Sequence, residues 1–145
     1  MNEELTLRAA RAGDREAIHR LLCALEEAPL PRDRFDAIFD AQLGREGYRC
    51  FVAERDGRVV GMLNLRIEPQ LHHCAPVAEI LELVVDAEFR GQAIGAGLLE
   101  RAMVAAGEAG CVLLEVACNI HREAAHRFYI REGMAPDHLR FMREL

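Results

Sequence analysis

The sequence predicts one mixed α/β (α+β) domain, residues 1–145, and three observations carry that expectation. Its 145 residues suit a single core that needs no staples. Short runs with strand periodicity alternate with segments whose apolar residues recur at helical spacing. Asp56-Gly57, a strong two-residue hairpin signal, joins two of the strand-like runs. Neither an internal repeat nor a low-complexity linker divides the chain.

Leu5-Thr6-Leu7-Arg8-Ala9 alternates as a first strand. Gly13-Asp14 then caps a helix carrying Ala17, Ile18, Leu21, Leu22 and Leu25, which Pro29 and Pro31 end. A second helix presents Phe35, Ile38, Phe39 and Leu43 and stops at Gly44 and Gly47. Arg49–Arg55 and Arg58–Ile67 are the two arms of the hairpin. A polar insert, Glu68 to Pro76, precedes a strand from Val77 to Val85. A glycine-rich turn opens a third helix with Leu98, Leu99, Ala102, Met103 and Ala106 on one face. Cys111–Ala117 is an apolar run broken only by Glu115, as expected of a central strand buried on both faces. Arg122 to Glu132 predicts a short helix stopped by Gly133, and His138–Met142 a last strand.

Composition narrows the function. A net charge of −6 argues against bulk nucleic-acid binding and allows a cationic substrate. Five cysteines, Cys23, Cys50, Cys74, Cys111 and Cys118, form no C-x-x-C pair and predict reduced thiols in a cytoplasmic protein. The longest apolar runs fall short of the ~18 residues a membrane span needs, and the acidic start Met1-Asn2-Glu3-Glu4 is unlike a signal peptide.

Chemistry concentrates in the stretch Glu79 to Leu99. It is a strand followed by a turn and a helix with Gly91, Gly95 and Gly97 at its start. The first N–H groups of a helix lack intrahelical partners and sit at the positive end of its dipole. Glycines let a phosphate approach the backbone closely, so this turn suits a diphosphate. The competing reading is a plain strand-to-helix connection. Gly95 in a first turn costs up to ~1 kcal/mol of helix propensity, which an anion would offset.

Strand periodicity places Glu79 and Glu82 on opposite faces, each a lone acid in an apolar row. Such a carboxylate is either a general base with a raised pKa or one half of an ion pair with an arginine such as Arg66 or Arg101. Tyr129, next to Phe128, is either a packed core residue or a proton donor to a leaving thiolate. His72 and His73 adjoin in an extended segment, which would send them to opposite sides, so no metal is expected there.

These residues resemble a known family. Gln92-x-x-Gly95-x-Gly97, after Leu83-Val84-Val85-Asp86 and Arg90-Gly91, is similar to the cofactor motif of the GNAT N-acetyltransferases. Within that family, Leu71-His72-His73, Glu79-Ile80, Glu82–Val85, Ala125–Tyr129, Arg131-Glu132-Gly133 and Arg140-Phe141 resemble the bacterial aminoalkylphosphonate N-acetyltransferases. The resemblance implies a mostly antiparallel twisted sheet of about six or seven strands flanked by about four helices, with the Val77–Val85 and Val112–Ala117 strands splayed apart. It implies acetyl-CoA as co-substrate, with Leu83, Val84 and Val85 pairing with the pantetheine. Arg90, Gly91, Gln92, Ala93, Ile94, Gly95, Ala96 and Gly97 would hold the pyrophosphate. Glu79 would be the base and Tyr129 the acid of direct transfer to a small primary amine. Arg122 stands where many members have asparagine, and a cofactor phosphate is its expected contact; Ala93 stands where glycine is frequent. His72, His73, Arg66 and Arg140 are the candidates for a phosphonate, arginine being the better fork for such oxygens. A homodimer is implied as well. Two other classes remain open at this point: a non-catalytic acetyl-CoA sensor, and an acetyltransferase of a protein N-terminus or lysine.

Overall fold

Hydrophobic periodicity separates strands from helices along this chain, and as far as the helix before Gly133 the elements form in the order it demands. The computed structural model describes residues 4–145. It contains β1 (Leu5–Ala9), α1 (Arg15–Glu26), α2 (Arg32–Gln42), β2 (Tyr48–Arg55), β3 (Arg58–Gln70), β4 (Ala75–Val85), α3 (Ile94–Glu108), β5 (Leu114–Val116) and α4 (Glu123–Arg131). The strands make one sheet in the order β1-β2-β3-β4-β5, and β1 to β4 are an antiparallel meander. The described residues thus hold five strands, fewer than the six or seven expected.

The chain divides into two compact units, one ending at Glu115 and one running from Val116 to Leu145. In the first, Ile18 and Leu21 of α1 pack on Val52, Val59, Met62 and Val84. The opposite face of the sheet carries α3, whose Ile94, Leu98, Leu99, Ala102 and Ala106 are buried. Gly61 makes that approach close: a Cβ there would lie 3.3 Å from Ile94 Cγ2 and Leu98 Cδ1. The hairpin turn forms as its residues require, with Asp56 at φ 51° and Gly57 at φ 76°.

Two bulges interrupt the ladders. Ala53 pairs with Gly61 but Glu54 with Val59, so Val60 is the extra residue of β3. Asn64 pairs with Glu82 but Leu65 with Ile80, so Leu81 is the extra residue of β4. The segment leading into β5 joins the start of β4, where Val112 N–H donates to the Pro76 carbonyl (3.1 Å) and Ala78 N–H to the Leu113 carbonyl (3.0 Å).

Two strand expectations change. The Cys111–Ala117 run yields only the short edge strand β5, and Val112 and Leu113 are largely exposed, because an edge has a neighbour on one side only. His138–Met142 forms no strand, and Leu139, Phe141 and Met142 are exposed. A strand needs a ladder partner, and none is present for this segment among the described residues. In the second unit α4 is an amphipathic helix that ends at Gly133 in the left-handed region, φ 92°.

Candidate active site

The turn after β4 has the geometry of an anion cradle. Asp86 caps a short 3-10 turn, Ala87–Phe89, by accepting from Glu88 N–H at 3.1 Å. Gly91 and Ala93 then adopt left-handed conformations, φ 79° and 61°. The first rung of α3 is Gly97 N–H to the Ala93 carbonyl, 3.1 Å, so the N–H groups of Ile94, Gly95 and Ala96 precede the helical ladder. No acidic side chain occupies the first turn of α3. A Cβ at Gly91 would meet nothing within 4 Å, which leaves the approach to the backbone open. A diphosphate therefore fits this loop, in charge sign and in space. Gly97 also serves packing, since a Cβ there would lie 3.1 Å from Leu7 Cδ1 and its small size lets α3 lie beneath β1.

The loop is tied to its neighbours by arginines from elsewhere in the chain. Asp86 Oδ2 accepts from Arg20 of α1 (3.0 Å) and Arg58 of β3 (3.4 Å), and Gln92 Oε1 accepts from Arg55 (2.8 Å). Arg90 itself is exposed. Leu83, Val84 and Val85 pair with Leu63, Met62 and Gly61 of β3; Val84 is buried in the core while Leu83 and Val85 are half-buried.

The bulge at Leu81 corrects the assignment of the two acids. Asn64 and Arg66 lie two residues apart on β3 and so share a face, and they pair with Glu82 and Glu79 respectively. Glu79 and Glu82 therefore lie on one face, not two, because one extra residue inverts the alternation. The side chains agree. Asn64 Nδ2 donates to Glu82 Oε2 (3.0 Å) and to Gln42 Oε1 (3.0 Å), and Arg66 Nη2 reaches Glu79 Oε2 at 2.6 Å. Burial pushes the Glu82 carboxyl above its ordinary range, the Glu26 charge adds to the rise, and the Asn64 bond opposes it. Glu79 is thus held in an ion pair with Arg66, one of the two alternatives that periodicity leaves open. Arg66 also lies 3.7 Å from Glu68.

His72 and His73 sit in the turn between β3 and β4. The strands extend further into the polar insert than periodicity indicates, through the pairs Glu68–Val77, Pro69–Pro76 and Gln70–Ala75. The remaining Leu71–Cys74 turn closes with Cys74 at φ 52°, so the two histidines are not in extended backbone. Their rings lie 4.1 Å apart instead of pointing to opposite sides. Among the described residues no three His, Cys, Asp or Glu side chains gather as a metal site.

In the second unit, Tyr129 lies on α4 with its ring edge-on to Phe128, 5.1 Å between centroids. Burial pushes its hydroxyl up to about 12, with the neighbouring Cys118 adding to the rise and Arg122 opposing it. Arg122 is the N-cap residue of α4. The loop before it is organised by Asn119, whose side chain accepts from His121 N–H (2.9 Å) and whose carbonyl meets His126 Nε2 (2.8 Å). Arg140 is exposed in the irregular C-terminal segment.

Periodicity misses Asn64, Gln42 and the arginines that hold Asp86 and Gln92. An asparagine inside an apolar strand is a visible signal, since such a group needs a buried partner. The arginine contacts leave no trace, because their partners are up to 66 positions away.

The chain is similar to known proteins along most of its length. Residues 15–134 match the profile of the Acetyltransferase (GNAT) family. The chain is 41% identical over 139 residues to an aminoalkylphosphonate N-acetyltransferase of Salmonella typhimurium, covering 96% of this chain and 90% of that protein. Among solved structures, a transcriptional regulator from Bacillus halodurans superposes with a TM-score of 0.90 at 26% identity, covering 98% of this chain and all of that one. A putative acetyltransferase from Agrobacterium tumefaciens gives 0.87 at 29%, over 97% and 99% of the two chains.

Proposed function

The chain belongs to the GNAT acetyltransferase family and uses acetyl-CoA to acetylate an amine, and we propose that its acceptor is a small aminoalkylphosphonate. The observation that carries the proposal is the Arg66–Glu79 pair, 2.6 Å apart on the face that also holds Glu82. An aminoalkylphosphonate bears an ammonium and an anionic phosphonate one or two carbons apart. It can exchange partners with this pair, giving its phosphonate to the Arg66 fork and its ammonium, across one water, to Glu79. The identity to the Salmonella protein supports the same substrate class.

Acetyl-CoA supplies an activated thioester when bound. The chain's own groups do the rest. Backbone N–H groups between Gly91 and Gly97 take the diphosphate, Leu83 to Val85 take the pantetheine as an added strand, and Arg122 meets a phosphate. Glu79, through a water molecule, accepts the proton that the ammonium must lose before its lone pair can attack. Tyr129 returns a proton to the departing sulfur; its raised value keeps it protonated throughout the neutral range. His72 and His73 at the β3–β4 turn and Arg140 near the C-terminus are proposed as further donors to the phosphonate. The match over residues 15–134 supports reading the chain as one domain. A homodimer is proposed on the resemblance, and light scattering tests it.

Thiol release from acetyl-CoA should be measured with 1-aminoalkyl- and 2-aminoethylphosphonates against diamines, amino acids and aminoglycosides. The phosphonates should give the highest kcat/KM, and Arg66→Gln should raise KM for them by about tenfold, the loss of one charge-assisted contact, while sparing amines that carry no anionic group. Turnover of another amine with none of any phosphonate removes the substrate proposal and leaves acetyl transfer intact.

A further inference from the structure

We propose that Arg20, Arg58 and Arg55 are positioning residues for the diphosphate of acetyl-CoA, acting through Asp86 and Gln92 to hold the β4–α3 loop in its anion-binding shape. The loop has little else to fix it. Ala87, Glu88 and the whole run from Arg90 to Ala93 are exposed, and burial resumes only at Ile94. A cradle made of backbone N–H groups cannot be corrected by a rotamer change, so its affinity depends on the loop's conformation.

The two ends of the loop are pinned. At its entry Asp86 N–H donates to the Val60 carbonyl (2.7 Å), fixing the backbone to the bulge of β3. The Asp86 carboxylate, only 13% exposed, gathers Arg20, Arg58 and Glu88 N–H. Arg20 is braced in turn, its second Nη donating to the Val59 carbonyl at 3.1 Å. Arg58 lies 5.8 Å from the centre of the Phe89 ring. At its exit Arg55 holds Gln92, the residue between left-handed Gly91 and Ala93. Arg55 and Arg58 flank the Asp56-Gly57 turn, so one hairpin tip reaches both ends of the loop.

The Arg20 and Arg58 side chains are about half exposed, and pairs held by such mobile, solvated arginines contribute little to global stability, so their effect should fall on the loop. Three nearby arginines would also attract phosphate directly, and Asp86 separates the two explanations. Under simple attraction, removing the Asp86 charge should tighten binding, because a negative group leaves. Under positioning, it should weaken binding.

Calorimetric titration with free CoA needs no acceptor, so the outcome is independent of the phosphonate proposal. Arg20→Met and Asp86→Ala should each raise the CoA Kd about fivefold to tenfold. The double variant should be no weaker than the weaker single, since both act through one contact. Asp86→Asn, which keeps an acceptor, should recover part of the loss. In turnover the effect should fall on KM for acetyl-CoA and not on kcat. Unchanged or tighter CoA binding by Asp86→Ala, or losses that simply add in the double variant, would overturn the proposal. Should Asp86→Ala not fold, Arg20→Met and Asp86→Asn carry the same test, and unaltered CoA binding in Arg20→Met has the same overturning force.

Discussion

The β4–α3 loop and the β3–β4 face lie at two ends of one strand and are built by opposite means. The loop presents backbone N–H groups; its side chains are exposed or turned to its own supports. The face presents side chains, Asn64, Arg66, Glu79 and Glu82, whose placement depends on one extra residue at Leu81. The difference predicts how each fails. A site made of backbone loses affinity when its shape relaxes, whereas a site made of side chains loses chemistry when one functional group is replaced.

The largest effect should come from Glu79→Gln. If this carboxylate takes the ammonium proton, kcat should fall by about 10²–10⁴-fold, the range of general acid–base catalysis, with the CoA Kd unchanged. This is the reverse of the pattern expected for Arg20→Met. A Glu79→Gln enzyme that weakens CoA binding and keeps its kcat would erase the contrast between the two regions.

Tyr129→Phe should come next, with kcat lowered by roughly 10²-fold, the low end of the same range. The tyrosine hydroxyl is pushed up to about 12, so it should give no alkaline fall in rate at mildly basic pH. A wild-type rate that falls at about pH 10, the ordinary tyrosine value, with a fall that Tyr129→Phe lacks, would mean that the hydroxyl is not raised.

Glu82→Gln probes stability. Burial raises the folded-state pKa of Glu82 above its unfolded value, so the folded protein holds that proton to higher pH. The stability linked to it is fully present below the unfolded value, about 4.3, and is lost as pH rises through the folded value. Glutamine keeps an oxygen for Asn64 and carries no charge. The variant should therefore match wild type at about pH 4 and exceed it at about pH 7.5, by about 1 kcal/mol, an ordinary size for one buried polar change. Thermal melts at the two pH values read this directly; a variant that loses ground as pH rises contradicts the assigned burial.

The same contrast explains what the sequence discloses. The loop is legible because its requirements are written as residue types: glycine where φ is positive at Gly91, and an acid-free first helical turn after an apolar strand. The face is legible in its members but not in its arrangement. Glu79, Glu82 and Arg66 are visible as charged residues in strands, yet alternation puts the two acids apart. A bulge has no fixed residue signature, and Leu81 is apolar like its neighbours. The histidine turn is misread for a related reason, since polarity conceals how far the strands run. Glu68 and Gln70 are polar and still pair, as a ladder uses backbone groups and tolerates polar side chains on an open face. The C-terminal segment fails differently: its alternation is real, but a strand also requires a partner that no local pattern encodes.

The smallest effect is also the most direct test of the loop's backbone. Ala93 holds φ 61° and ψ 19°, a conformation that brings its Cβ against the backbone and costs a non-glycine residue about 1–2 kcal/mol. Glycine avoids that cost and forfeits about 0.5–1 kcal/mol of unfolded-chain entropy. Ala93→Gly should thus stabilise the protein slightly, by about 0.5–1 kcal/mol, and leave CoA affinity equal or better. Gly91→Ala is its mirror. A Cβ at Gly91 meets no atom within 4 Å, so any cost there is purely conformational, at φ 79°. It should destabilise by about 1 kcal/mol and leave the CoA Kd nearly unchanged, since the free and the bound protein carry the same strain. If both substitutions leave melting unchanged but Ala93→Gly tightens CoA binding and Gly91→Ala weakens it, the left-handed conformations are adopted mainly on binding. The arginine supports would then act by lowering the cost of reaching that shape, not by holding it in the free protein.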